Sequence, residues 1–149
     1  MADLSNEVIA SVYGANQYFL TRVLAGVETQ QAKAPFTEAG NRMSWILGHI
    51  VYWRQEVLTA LGGPTLWDLS AAAGYRGVDR SMPATDGADW DELVHRAAAL
   101  NAAIMPLLAD ADLSRDELRK TLAGLAAHEG YHVGQMGIAR RALGLEAAL

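Results

Sequence analysis

Two histidines one helical turn apart carry the most specific chemistry in this chain. They stand in Ala126-Ala127-His128-Glu129-Gly130-Tyr131-His132-Val133-Gly134-Gln135. Residues four apart on an α-helix lie about 40° apart in azimuth and roughly 6 Å along the axis, so both imidazoles face one way. Two such nitrogens can meet one divalent ion at about 2.0–2.1 Å. The competing reading is a pair of histidines on a solvated face. The stripe Leu125, His128, His132, Gln135 and Ala139 puts them on or beside the side that should face the interior, and a buried imidazole without a partner is costly. His49, in Trp45-Ile46-Leu47-Gly48-His49-Ile50, has only apolar or small neighbours and by itself reads as a hydrogen-bonded core residue. With His128 and His132 on another helix it becomes the third corner of a metal site of the kind that helical bundles assemble from facing helices. Three histidine ligands leave coordination positions for water or substrate. His95, among Asp91, Glu92, Arg96 and alanines, reads as solvated.

The chain has no cysteine, which excludes a disulfide framework, a thiolate zinc finger and a cysteine nucleophile together. Any metal must be held by His, Asp or Glu. The same five residues, His128 to His132, match the His-Glu-x-x-His of zinc peptidases, where the glutamate is the general base. The extended peptidase motif would place glycine at position 135 and histidine at 138, where this chain has Gln135 and Ile138, and Glu146 is the sole acidic residue after His132. A peptidase is therefore disfavoured. Glu129 lies 100° round the helix from His128, which leaves open whether it is a surface group, a support behind the ligands or a residue that reaches the site's water. Gln135, one turn beyond His132, is a candidate to orient a ligand or water. Glu129 and Gln135 are the two candidate catalytic residues.

The elements that must position these groups are helical. Alanine is abundant, and Val, Ile and Thr never alternate as strands require, so an all-α fold is expected over residues 1–149 as one domain. A first helix from about residue 4 to Gly26 is predicted on the stripe Val8, Val12, Phe19, Leu20, Val23 and Leu24. A second spans Ser44 to Leu61, buried on much of its circumference and stopped by Gly62-Gly63-Pro64. Residues 62–88, with Pro64, Pro83 and a turn at Asp86-Gly87, form one long irregular connection. A third helix begins near Asp89 and carries Leu93, Leu100, Ile104, Leu107 and Leu108, with Pro106 expected to kink or close it. The fourth begins at a capping box, Ser114 to Glu117, and carries Leu118, Leu122, Leu125, Met136, Ile138 and Leu143. Four apolar stripes imply a four-helix bundle with a long connection between the second and third helices.

Charge and hydropathy narrow the partners. The formal net charge is −5 and no run of Lys or Arg occurs, so a nucleic-acid footprint is not expected. The most apolar stretch, Trp45 to Trp53, contains His49 and is stopped by Arg54, far short of the roughly 20 residues that span a bilayer. The start Met1-Ala2-Asp3-Leu4-Ser5-Asn6-Glu7 lacks the cationic head of a signal peptide. The expectation is a cytoplasmic protein without membrane or nucleic-acid partners.

Two motifs, Trp45-Ile46-Leu47-Gly48-His49 and His128-Glu129-Gly130-Tyr131-His132-Val133-Gly134-Gln135, resemble those of the DinB/YfiT family of metalloenzymes, and the resemblance covers nearly the whole chain. It implies a four-helix bundle in which His49, His128 and His132 match the family's metal ligands and Gln135 matches its Gly-Gln element. It also implies a homodimer and a small-molecule substrate. Members with assigned activity resemble thiol S-transferases that use low-molecular-weight thiols such as bacillithiol or mycothiol. A divalent ion on three neutral imidazoles, zinc or nickel first, with manganese or iron also compatible, could lower the pKa of a bound thiol or water. Thiol activation for transfer to an electrophile is the leading expectation, with Trp45, Tyr52, Trp53 and Trp67 either shaping an apolar pocket or serving as plain core. Hydrolysis with water activated at the same position is the second. A non-catalytic metal-binding or dimerising helical domain is the third.

Overall fold

The computed structural model describes residues 4–39, 41–77 and 89–148. Its elements are α1 (Leu4–Leu24), α2 (Thr29–Lys33), α3 (Met43–Ala60), a 3₁₀ turn (Ala73–Tyr75), α4 (Trp90–Asp110) and α5 (Asp116–Ala142), with no strand among the described residues. The fold is all-helical. The long helix α1 packs against α4 and α5, α3 also packs against α4 and α5, and the backbones of the pairs α1/α3 and α4/α5 do not approach closely. The short α2 and the 3₁₀ turn both lie against α3. The connection predicted over 62–88 is described only as far as Gly77, and the turn predicted at Asp86-Gly87 lies outside the described residues.

The buried face of α1 matches the predicted one at Leu20 and Val23 and departs from it at Val8, Val12 and Phe19. Asn6, Ile9, Tyr13, Asn16, Leu20, Val23 and, just beyond the helix, Val27 are buried at alternating three- and four-residue spacing, whereas Val8, Val12 and Phe19 are 55%, 39% and 37% exposed. The two asparagines decide the rotation. Asn6 Nδ2 donates to the carbonyls of Leu108 and Ala111 at 2.9 and 2.8 Å, and Asn16 Nδ2 donates to that of Ala126 at 2.8 Å. Tyr13 on the same face gives its hydroxyl proton to Leu122 O. Each of these donors thus enters the interior with a carbonyl partner, which offsets much of the desolvation cost that a purely apolar reading of the pattern assigns to it.

Helix α3 is buried from Met43 to Leu58 at all but a few positions, as its composition predicts, and ends where Gly62 takes φ +77°. Gln55 ties the next segment to it: its Oε1 accepts the backbone N–H groups of Leu66 and Trp67 at 2.8 and 3.0 Å, and its Nε2 donates to Pro64 O. Helix α4 is capped by Asp89, which accepts from the Asp91 N–H, and it runs through Pro106 to Asp110 instead of closing there. The carbonyl that Pro106 cannot reach belongs to Ala102, which like Pro106 lies on the exposed side, so the lost bond costs little.

The start of α5 also differs from the expected capping box. Ser114 donates its N–H and hydroxyl to Asp112 Oδ1, and the helix begins at Asp116 behind Arg115 with no side-chain cap. Asp112, two residues back, takes the hydroxyl before the helix can use it. The buried stripe of α5 is Leu122, Ala126, Glu129, Val133, Met136 and Ala139, with His132 buried beside it; Ile138, predicted on it, is 67% exposed. The short α2, between the first two predicted helices, has a local signal in Gln31, whose Oε1 accepts the backbone N–H of Glu28 at 3.0 Å.

Asn16→Ala is expected to cost about 1–2 kcal/mol in urea unfolding through loss of a buried hydrogen bond. Val12→Ala on the exposed side should stay within about 0.5 kcal/mol. Equal losses would show that the asparagines do not set the rotation of α1.

Candidate metal centre

The packing of α3 against α5 brings together the three histidines that the sequence singles out. His49 on α3 and His128 and His132 on α5 offer ring nitrogens that all lie within 4.8 Å of one another, the one such group found among the described residues. His128 Nε2 is 3.3 Å from His49 Nε2 and 3.0 Å from His132 Nε2. The three rings meet edge to face, with interplanar angles of 65°, 75° and 82°. An ion about 2.0–2.1 Å from each nitrogen would set neighbouring ligand nitrogens roughly 2.9–3.4 Å apart, so the donor set fits a divalent transition metal. His95 is exposed on α4, its Nδ1 bonded to Asp91 O, and takes no part.

The far side of each ring determines what the near side can do. His49 Nδ1 is 2.6 Å from the carbonyl oxygen of Tyr75. A carbonyl can only accept, so Nδ1 carries the hydrogen and Nε2 presents a lone pair. His132 Nδ1 is 2.7 Å from Gln135 Oε1, and Gln135 Nε2 donates to the Tyr131 hydroxyl at 3.0 Å, which leaves His132 Nε2 with a lone pair as well. Both lone pairs converge on His128 Nε2. One proton there cannot point straight at both, whereas a cation answers all three nitrogens.

Burial lowers the His49 imidazole to about 4, with the Tyr75 carbonyl opposing the shift and His132 and His128 adding to it. Burial also lowers His128, opposed by Glu129, and lowers His132, opposed by the Gln135 hydrogen bond. All three rings are therefore neutral near pH 7, the form that binds metal. Aromatic rings frame the group. The Trp45 ring stacks on His49 at 5.0 Å and 15°, Trp53 stands edge-on to His49 and His128, and Tyr131 stands edge-on to His132. Tyr52 forms a small apolar cluster with Ala72 and Tyr75, and Trp45, Trp53 and Trp67 pack against it.

Glu129 is turned away from the three nitrogens. It occupies the core stripe of α5, where its Oε1 and Oε2 accept from Arg54 Nη2 and Nε at 2.6 and 2.9 Å. Arg54 is 1% exposed, and its Nη1 donates to Gln17 Oε1 and Ala97 O at 2.7 and 2.6 Å. Both carboxylate oxygens are taken up by the guanidinium, so the geometry gives no support to a peptidase-like role. Sequence reasoning gave Arg54, Gln17, Tyr75 and Tyr131 no role at the site. Arg54 had a legible signal, because it continues the buried spacing Leu47, Val51, Arg54, Leu58 of α3.

Arg54→Met should cost about 3–5 kcal/mol, since it leaves Glu129 charged and unpaired in the interior, and Arg54→Met/Glu129→Met should recover much of that loss. Additive losses in urea unfolding would show that the two side chains are not coupled. The pH response has a definite sign. His49 holds its proton below about 4 when folded and below about 6.5 when unfolded, so between those values only the unfolded chain takes it up. Metal-free protein should thus lose stability as pH falls from about 6.5 to 4, with a shallower fall in His49→Gln; equal slopes would contradict the burial of a neutral imidazole. The chain matches no protein-family model, no curated protein and no solved structure, so the functional reading stands on these imidazoles and the groups that orient them.

Proposed function

We propose that His49, His128 and His132 hold one divalent transition metal ion and that the protein is a metal-dependent enzyme in a four-helix bundle of the DinB/YfiT kind. The observation that carries this reading is the pair of anchored rings: Tyr75 O and Gln135 Oε1 each take an Nδ1–H, so the Nε2 lone pairs of His49 and His132 are aimed at His128. Zinc or nickel suits this donor set best, with manganese or iron as alternatives. When bound, the ion supplies positive charge that lowers the pKa of a thiol or water beside it.

The protein's own residues favour a small thiol as the activated group. The chain has no cysteine of its own. The three ligand rings are neutral, and the adjacent carboxylate of Glu129 is already matched by Arg54, so the site brings no negative charge of its own to offset the ion. Such a centre prefers an anionic partner, and the stacked indole of Trp45 and the edge of Trp53 offer apolar surface to its substituent. The thiol gives up its proton to solvent, its sulfur bonds to the electrophilic atom, and the leaving group departs with the electron pair. Gln135 and Tyr131 keep His132 oriented during this change. Hydrolysis shares the site and differs only in taking water in place of the thiol.

Elemental analysis of protein purified without a metal-affinity tag tests the reading. About one equivalent of a transition metal is expected in wild type, none in His49→Ala or His132→Ala, and an unchanged amount in His95→Ala. Retention of metal by His49→Ala would remove α3 from the site. A screen with low-molecular-weight thiols and with water as competing nucleophiles then separates transfer from hydrolysis.

A further inference from the structure

His49 follows a residue without a side chain in the middle of a buried helix. Glycine there costs about 1 kcal/mol relative to alanine, so its use calls for a packing reason. A Cβ at Gly48 would lie 2.2 Å from Tyr75 Cε1, 2.3 Å from Cδ1 and 2.8 Å from Cζ. The Tyr75 ring fills the space that a side chain at Gly48 would need.

Tyr75 is also the residue whose carbonyl takes the His49 Nδ1–H. Its backbone is held on both sides of that contact. Tyr75 N–H donates to Ala72 O at 2.9 Å, closing the 3₁₀ turn, and the Trp45 indole N–H reaches Gly74 O at 3.4 Å. Trp67 leans on the Tyr75 ring at 5.7 Å, and Gln55 fastens the chain just before Trp67 to α3. The segment from Pro64 to Tyr75 is therefore fixed to α3 at Gln55, at Trp45 and at Gly48, and its last residue ends against the proposed ligand.

We infer that Tyr75 is a positioning residue for His49: its ring, seated against Gly48, fixes the carbonyl that holds His49 as the Nδ1–H tautomer with Nε2 toward His128 and His132. The functional meaning of this role rests on the proposed metal site, while the tautomer is a property of the chain alone. Segment 64–75 then acts on the centre without supplying a ligand to it. A purely structural Tyr75 would affect stability and leave the His49 tautomer unchanged.

The test uses full-length ¹⁵N-labelled protein stripped of metal by a chelator at about pH 8, above the ordinary imidazole pKa, with long-range proton–nitrogen correlations reading each ring. Wild type is expected to show His49 protonated at Nδ1 only. Gly48→Ala and Tyr75→Ala should shift His49 toward the Nε2–H form and weaken zinc binding about 10–100-fold in competition with the chelator, the range typical of groups that orient metal ligands. Tyr75→Phe, which keeps the ring, should retain both properties, and the His132 tautomer, held by Gln135, should stay fixed in all three. Protonation of wild-type His49 at Nε2 would overturn the inference without any variant, which covers the case in which Gly48→Ala fails to fold. So would an unchanged tautomer with zinc affinity within about twofold of wild type in both Gly48→Ala and Tyr75→Ala. If wild type binds none of zinc, nickel, manganese or iron, the metal reading fails, and the tautomers still decide the role of Tyr75.

Discussion

The pair Arg54–Glu129 is the constraint on which the arrangement depends. Both side chains are buried, and moving two charges out of water costs several kcal/mol per ion unless every donor and acceptor is met. Here the guanidinium is met by both carboxylate oxygens, by Gln17 Oε1 and by Ala97 O. Those partners come from α5, α1 and α4, while Arg54 itself stands on α3. Four helices thus converge on one cation, and none can rotate far without leaving a charge or a donor unmatched.

That convergence also sets the histidines. Glu129 points into the core, so at 100° per residue His128 lies about 100° to one side of it and His132 about 60° to the same side. Both imidazoles are thereby turned off the core stripe and toward α3, where His49 meets them. The residue that looks like a peptidase base in the linear motif serves instead as the inward-facing reference from which the two ligands are measured. Its charge is spent on Arg54, and the three rings remain neutral because burial lowers each of them.

Much of this was legible in the sequence and some of it could not have been. The spacing of His128 and His132, the glycine stop after α3 and the apolar positions of α4 follow from local rules of period and capping. The face of α1 did so only at Leu20 and Val23, because Val8, Val12 and Phe19 compete with a face that contains Asn6 and Asn16. The outcome depends on carbonyls of Leu108, Ala111 and Ala126, more than 100 residues away. The orienting partner of His49 was hidden for a stronger reason. A backbone carbonyl has no letter in the sequence, and the clue to Tyr75 is the missing side chain at Gly48.

The same contacts explain why the site is built against the preference of its own groups. Two neutral imidazoles with their hydrogens committed at Nδ1 direct lone pairs toward a third ring about 3 Å away, an arrangement that isolated imidazoles in water would relax by rotating. Rotation of His49 would forfeit the Tyr75 carbonyl and the stack on Trp45, and rotation of His132 would forfeit Gln135 and, through it, Tyr131. The backbones cannot yield either, since α3 and α5 are locked by Arg54 and Glu129. The convergence of lone pairs at the centre is therefore held in place by hydrogen bonds behind the rings and by an ion pair beneath them. Stability elsewhere in the fold supports a locally unfavourable arrangement that a cation can relieve, which is the usual relation between a preorganised site and its scaffold.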